Sequence, residues 1–517
     1  MSTSGSQYLK PRPEQLQHIK HIIVLMLENR SFDNLLGWLY DDGAPRGQEF
    51  DGLHSGLWNP LHSVDEDGTP VIEKVYVAKN AAPVRGTRYI KPDPNPPPDY
   101  RLPHPDPGEG YRNTNHQLFQ HYDVPAAYPP EPTNMGFVDN YVNTIVNGEY
   151  RIFGESVGEP RDIMTCFTPV QVPVLSTLAR EYAVCDQWFG SVPSQTLPNR
   201  AFIHAATSCG QVNNSPHPQC GATTIYNRIQ EAVKKGRKAL SWRVYASTPR
   251  DATTDPHSLV TTGVDYSLTR LMMTQLHDAA LTPHFQPIGR FYQDAAAGKL
   301  PSYAFLEPQF FGAGQNDQHP PTDIRAGERL IADVYNAVVA SPQWTETLLV
   351  ITYDEHGGCY DHVAPPGHAA HPDGPHGEPG QDGFLFNRFG VRVPTVLVSP
   401  WIRAGTVARP AGYTPFDHTS VLATACRRFK LKSLTARDAA APDLSCVLTN
   451  RKPRTDKPAV KPLPVESWES SINALHRQAE VVLTRLTGTA RPTDQHVFDY
   501  IRQAYARRFP GGNAARK

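Results

Sequence analysis

The sequence predicts an α/β domain built on a mostly parallel sheet, and two kinds of segment predict it. The stretches "HIIVLML" (His21–Leu27), "TLLVITY" (Thr347–Tyr353) and "VPTVLVS" (Val393–Ser399) are short apolar runs rich in β-branched residues. Such runs suit strands covered on both faces. The second is preceded by "PTDIRAGERLIADVYNAVVASP", which sets Ile331, Val334, Tyr335 and Val338 on one helical face, between a cap at Thr322 or Asp323 and a stop at Pro342. A helix that feeds a strand is the α/β pattern.

The remaining elements follow in chain order. Residues 40–135 read as a long, loop-rich excursion, because "YIKPDPNPPPDYRLPHPDPGEGY" is too rich in proline for a helix or a central strand. Loops of that length inside a domain point to a lid or a substrate-binding rim, with a plain surface insertion as the alternative. A helix over residues 173–182 carries Val174, Leu175, Leu178 and Tyr182 inward. The segment Ser191–Ser208 reads as a loop that enters a helix, with Pro198 in its first turn and Thr196 just before it. Beyond residue 449 a Lys- and Pro-rich linker leads to two amphipathic helices, near "SSINALHRQAEVVLTRL" and "TDQHVFDYIRQAYARRF". The domain therefore spans 1–449, and 450–517 is a linker with a C-terminal helical extension.

Composition excludes several function classes. With 50 Lys and Arg against 51 Asp and Glu the formal charge is −1, and no basic block marks a nucleic-acid partner. No apolar run reaches the roughly 18 residues of a spanning helix, so no transmembrane segment is expected. The polar start "MSTSGSQYLKPRPEQLQHIK" lacks the apolar core of a signal peptide and, as written, points to the cytoplasm. Seven cysteines without a CxxC pair disfavour zinc ribbons and redox dithiols, and leave a Cys209–Cys220 bridge open.

Chemistry is sought where strands end, since ligands of open α/β sheets bind at their carboxyl ends. The first strand runs into Glu28 and Asn29, and the second into Asp354, Glu355 and His356. Hard oxygen donors from two strand ends suit one shared divalent cation. The alternative is that each acid caps a turn or pairs with an arginine such as Arg30. Thr196 lies where a helix N-terminus would hold a phosphate, although a threonine there also serves as an ordinary cap.

These residues lie within longer stretches, "HIIVLMLENRSFDNLLGWL", "PSQTLPNRAF", "NDQHPPTDIRAGERLIADVYNAVVASPQWTETLLVITYDEHGGCYDHVAPP" and "FGVRVPTVLVSPWI" with "FDHTSVLATACRRF". In order from His21 to Thr449 they resemble the bacterial phospholipase C and acid phosphatase phosphoesterase family. The resemblance implies an alkaline-phosphatase-like α/β/α sandwich and a metal-dependent phosphoesterase using one or more divalent metal ions. It implies metal ligands at Glu28, Asn29, Thr196, Asp354 and Glu355, with Thr196 also the nucleophile that forms a phosphothreonine. It places His319 against the phosphate as hydrogen-bond donor or acid; Asp317 is a candidate to orient it, with a place in solvent as the alternative. Asn199, His356, Asp361, His362 and His418 are the substrate-binding candidates; of the last four, one or two are expected to touch substrate and the others to be structural.

The implied substrate is a phospholipid, split into diacylglycerol and a phosphorylated head group, which brings peripheral membrane contact. Hydrolysis of small phosphate monoesters is the alternative, and an inactive relative that binds phosphorylated ligands is a further one. Family members are often secreted or periplasmic. One departure stands out: where many phospholipase C members have a histidine in "DPGH", this chain reads "PDPGEGYRNTNHQLF", with Glu109 at that place and His104 and His116 at other spacings. A negative charge near a phosphate disfavours binding unless it is protonated or paired. The His-rich loop "HPDGPHGEPGQDG" reads as a surface loop.

Overall fold

The computed structural model describes residues 8–465 except 46, 66, 81–98, 126–129, 148–157, 215–219, 248–266 and 311–313. Both expected C-terminal helices and the first part of the proline-rich run, up to residue 98, lie outside the described residues.

An eight-stranded sheet forms the centre, in the order Thr406–Val407, Ala183–Val184, Thr395–Val398, Thr347–Tyr353, His21–Leu27, Tyr303–Glu307, Trp242–Ala246, Phe285–Pro287. All seven residues of His21–Leu27 and all seven of Thr347–Tyr353 are buried, as unbroken apolar runs require. The two strands pair in parallel, Leu27 opposite Tyr353, and Tyr303–Glu307 joins His21–Leu27 in parallel on its other side. The third expected strand belongs to the same sheet but is shorter, Thr395–Val398, and runs antiparallel to both neighbours.

Helices pack against the sheet as their apolar faces dictate. The helix Ile324–Ala340 starts at Asp323, whose carboxylate accepts from the Arg325 N–H, and it buries Ile331, Val334, Tyr335 and Val338. The helix Pro173–Glu181 lies beside it, with Pro173 in its first turn. Within residues 40–135 the described part holds a hairpin, Trp58–Val64 paired with Pro70–Tyr76, and the helix Tyr111–Phe119. A separate apolar cluster around Phe137, Tyr141 and Met164 joins this region to the main body. Cys209 and Cys220 form a disulfide. Among the described residues no helix is long and apolar enough to cross a membrane.

Candidate active site

Register builds the site. Because Leu27 lies opposite Tyr353 in parallel strands, the next residues, Glu28–Asn29 and Asp354–Glu355, leave the sheet side by side. Asn29 turns there with φ 55°, a left-handed conformation that asparagine tolerates better than most residues. The turn aims its backbone N–H at Asp354 Oδ1, 3.0 Å away. The Glu355 N–H donates to the same oxygen at 2.8 Å. The glycines that follow are required by crowding. A Cβ on Gly357 would lie 2.1 Å from the Asn29 carbonyl oxygen, and one on Gly358 would lie 2.5 Å from that of Gly108. Both also have positive φ, which glycine adopts without penalty.

A third element comes from the helix Thr196–Ala205, which begins at Thr196 itself after the cap residue Gln195. Thr196 Oγ1 lies 3.4 Å from Asn29 Oδ1 and is buried. Asn199 is buried and holds the loop that leads to Thr196. It accepts from the Val192 N–H and donates to the carbonyls of Val192, Ser194 and Gln195. Its amide is thus set to shape the loop, a task different from the expected ligand contact. One turn on from Thr196, Arg200 places Nε 3.0 Å from Asp354 Oδ2 and 3.3 Å from Glu28 Oε1. Sequence reasoning overlooked Arg200; its i+4 spacing from Thr196 on a helix was the available signal.

Glu109 enters from the segment before Tyr111–Phe119 and is buried among these groups. Asn29 Nδ2 sits 2.5 Å from both Glu109 Oε2 and Glu355 Oε1, while Gln195 Nε2 reaches Glu109 Oε1 at 3.3 Å. His319 is buried beside it, with Nε2 3.7 Å from Glu109 Oε2. Its Nδ1 lies 2.8 Å from the Pro320 carbonyl, so Nδ1 carries the proton and Nε2 of the neutral ring presents a lone pair. For His319 to act on a phosphate as donor or acid, Nε2 would first take up a proton. Asp317 is buried and accepts from the His319 backbone N–H at 3.1 Å, so it orients the backbone rather than the ring.

The other candidates divide between support and rim. His418 is buried and donates through Nε2 to the Asp354 carbonyl at 2.6 Å. His356 is buried between Gln117 Oε1, at 2.8 Å from Nε2, and Glu355 Oε2, at 3.2 Å from Nδ1. These contacts support Asp354 and Glu355. Asp361 is locked by Arg392 Nε at 2.9 Å, and Arg392 also reaches Asp33 at 2.8 Å. His362 pairs with Asp33 at 2.6 Å and keeps partial exposure. His116 packs on Tyr122.

Burial dominates the electrostatics. It raises the carboxyls of Glu28 and Glu355 well above the usual range and that of Asp354 above it, with neighbouring carboxylates adding to the rise at Glu28 and Glu355. Burial and the Asp354 charge push Glu109 up to about 7. Burial pulls His319 and His356 down to about 3, and His418 to about 4. Carboxylates crowded in this way favour a proton or a cation between them. Among the described residues no arginine or lysine pairs with Glu109 or Glu355. The oxygen donors of Glu28, Asn29, Thr196, Asp354 and Glu355 are the types that hard divalent cations accept, so the residues present fit a metal ion.

Strand-end acids and a helix-start hydroxyl at the edge of an α/β sheet are groups that could hold a metal ion beside a nucleophile. Residues 19–432 match the profile of the Phosphoesterase family, and the chain belongs to that family. It is 35% identical over 463 residues to non-specific phospholipase C3 of Arabidopsis thaliana, covering 86% of this chain and 76% of the relative. It is 27% identical over 491 residues to phospholipase C B of Mycobacterium tuberculosis (strain CDC 1551 / Oshkosh), covering 88% and 83%. A crystal structure of a protein in the alkaline phosphatase superfamily from Vibrio parahaemolyticus aligns at 11% identity and a TM-score of 0.28, over 65% of this chain and 81% of that one. A match of that size adds nothing to the family assignment.

Proposed function

We propose that the chain is a metal-dependent phosphoesterase that hydrolyses the glycerol-side phosphodiester of phospholipids, releasing diacylglycerol and a phosphorylated head group. The observation that carries this reading is the position of the Thr196 hydroxyl, at the first residue of a helix and 3.4 Å from Asn29 Oδ1. The relatives named phospholipase C support the substrate class.

Thr196 Oγ attacks phosphorus, and the bond from phosphorus to the glycerol oxygen breaks. The hydroxyl proton passes to the carboxylate cluster and is returned to the leaving glycerol oxygen. The phosphothreonine, which still carries the head group, is then cleaved by water, restoring the hydroxyl. At the helix N-terminus the Leu197 N–H is taken by Asn214 Oδ1 at 2.9 Å and Pro198 has none, so the Thr196 N–H is the one left to meet a phosphoryl oxygen. Arg200 holds Glu28 and Asp354 in place from the side of the sheet, and His418 fixes the Asp354 carbonyl. A cation held by Glu28, Asn29, Asp354 and Glu355 would lower the pKa of the nucleophile and neutralise developing charge.

Thr196→Ala is expected to lose roughly a thousandfold or more of phosphatidylcholine hydrolysis while keeping its folded circular-dichroism spectrum. Wild type should form an acid-stable phosphothreonine that carries choline on rapid quenching, detected by mass spectrometry as the mass of phosphocholine added at Thr196. Near-normal turnover in Thr196→Ala would remove the nucleophile from this mechanism. A parallel assay on phosphate monoesters separates lipase from phosphatase action.

A further inference from the structure

Two clusters of buried or half-buried ligand-type groups occur among the described residues: Asp33, Asp361 and His362, and Asp106, Glu109 and His319. They differ in charge balance. In the first, Arg392 pairs with both carboxylates and His362 with Asp33, so nothing is left uncompensated. In the second, one donor atom from each residue lies within 4.8 Å of the others, and no arginine or lysine among the described residues pairs with Glu109.

The lone pair of His319 adds an independent observation. The ring is 4% exposed, its Nδ1–H is committed to the Pro320 carbonyl, and Nε2 has no hydrogen-bond partner among the described residues. Nε2 instead faces Glu109 Oε2 at 3.7 Å. Two acceptors facing each other at that distance call for a cation or a proton donor between them.

We infer that Glu109 and His319, with Asp106, form a second divalent-cation site beside the one assigned to Glu28, Asn29, Thr196, Asp354 and Glu355. The inference rests on the metal-dependent reading above. Its donors include an imidazole nitrogen, which suits zinc or manganese, whereas the first site offers oxygen alone and also accepts calcium. Glu109, which breaks the histidine pattern of the resemblance, thereby supplies the anionic ligand of this second site.

The test counts metal in the full-length chain, stripped with chelator, reloaded with zinc or calcium, freed of excess and analysed by inductively coupled plasma mass spectrometry. Wild type is expected to bind two zinc ions but one calcium ion per chain. Glu109→Gln and His319→Gln should each fall to one zinc while keeping their calcium, which also shows that they are folded. One zinc in wild type, or two that survive both substitutions, would overturn the second site alone. A chain that takes up no metal and hydrolyses lipid equally well with chelator would overturn the metal-dependent reading itself.

Discussion

At the rim of the site, Asp33 and His362 form an ion pair whose strength follows from their burial. Burial opposes a charge on His362, but the Asp33 carboxylate at 2.6 Å outweighs it and holds the imidazole above its usual range. Asp33, though also penalised by burial, is held below the usual range by Arg392 and His362. A group whose pKa is raised on folding stabilises the fold fully below its unfolded value, about 6.5 for histidine, and loses that contribution as pH rises through the folded value. Wild type should therefore exceed His362→Gln by about 1.5–3 kcal/mol at pH 5.5, and the gap should close toward pH 9 in urea titrations. A gap that stays constant with pH would mean that the pair is not ionised. At this scale much of the site was legible, because Glu28, Asn29, Asp354 and Glu355 follow apolar runs whose ends can be seen in the sequence. The partner of His356 was not, because Gln117 is delivered by a helix 239 residues away in the chain.

Among the elements, the helix Pro173–Glu181 starts without a side-chain cap of its own, since its cap residue is Val172. Glu328, buried on the neighbouring helix Ile324–Ala340, supplies the missing acceptor. Its two oxygens take the N–H groups of Val174 and Leu175 at 2.6 and 3.0 Å. Burial pushes the Glu328 carboxyl up to about 8 although both N–H groups favour its charge, and when ionised it faces the positive end of the helix dipole. Glu328→Gln keeps the shape but turns an N–H₂ group toward one of the two donors, so unfolding in urea should show a loss of about 1–3 kcal/mol. A change under half a kcal/mol would mean that the clamp carries little of the packing between these helices. Nothing in the sequence announced the clamp, because it joins residues 154 apart in the chain. The apolar faces were readable, since a period of 3.6 is written locally. Strand direction was not: an unbroken apolar run describes burial on both faces equally well whichever way it points, and Thr395–Val398 runs against its neighbours.

Over the whole molecule a formal charge of −1 conceals a steep gradient, with acids gathered at the carboxyl ends of the two central strands. Composition could not reveal it, because register, not count, brings Glu28 beside Asp354 and lets Glu109 approach Asn29. The gradient makes the stability of the fold dependent on what the acids hold. A ligand that binds only the folded chain stabilises it by RT ln(1 + [L]/Kd), about 2.7 kcal/mol at a hundredfold excess over Kd. Removing divalent metal should therefore lower the melting temperature by several degrees, and restoring it should recover the loss in proportion to the logarithm of its concentration. Potassium chloride at the same ionic strength should not substitute, since screening from bulk solvent scarcely reaches buried charges. Differential scanning calorimetry on chelated and reloaded protein, with metal content checked in each sample, measures this directly. If the melting temperature does not move although the metal is gone, protons and hydrogen bonds alone hold the carboxylates together, and the cation has no part in maintaining the fold.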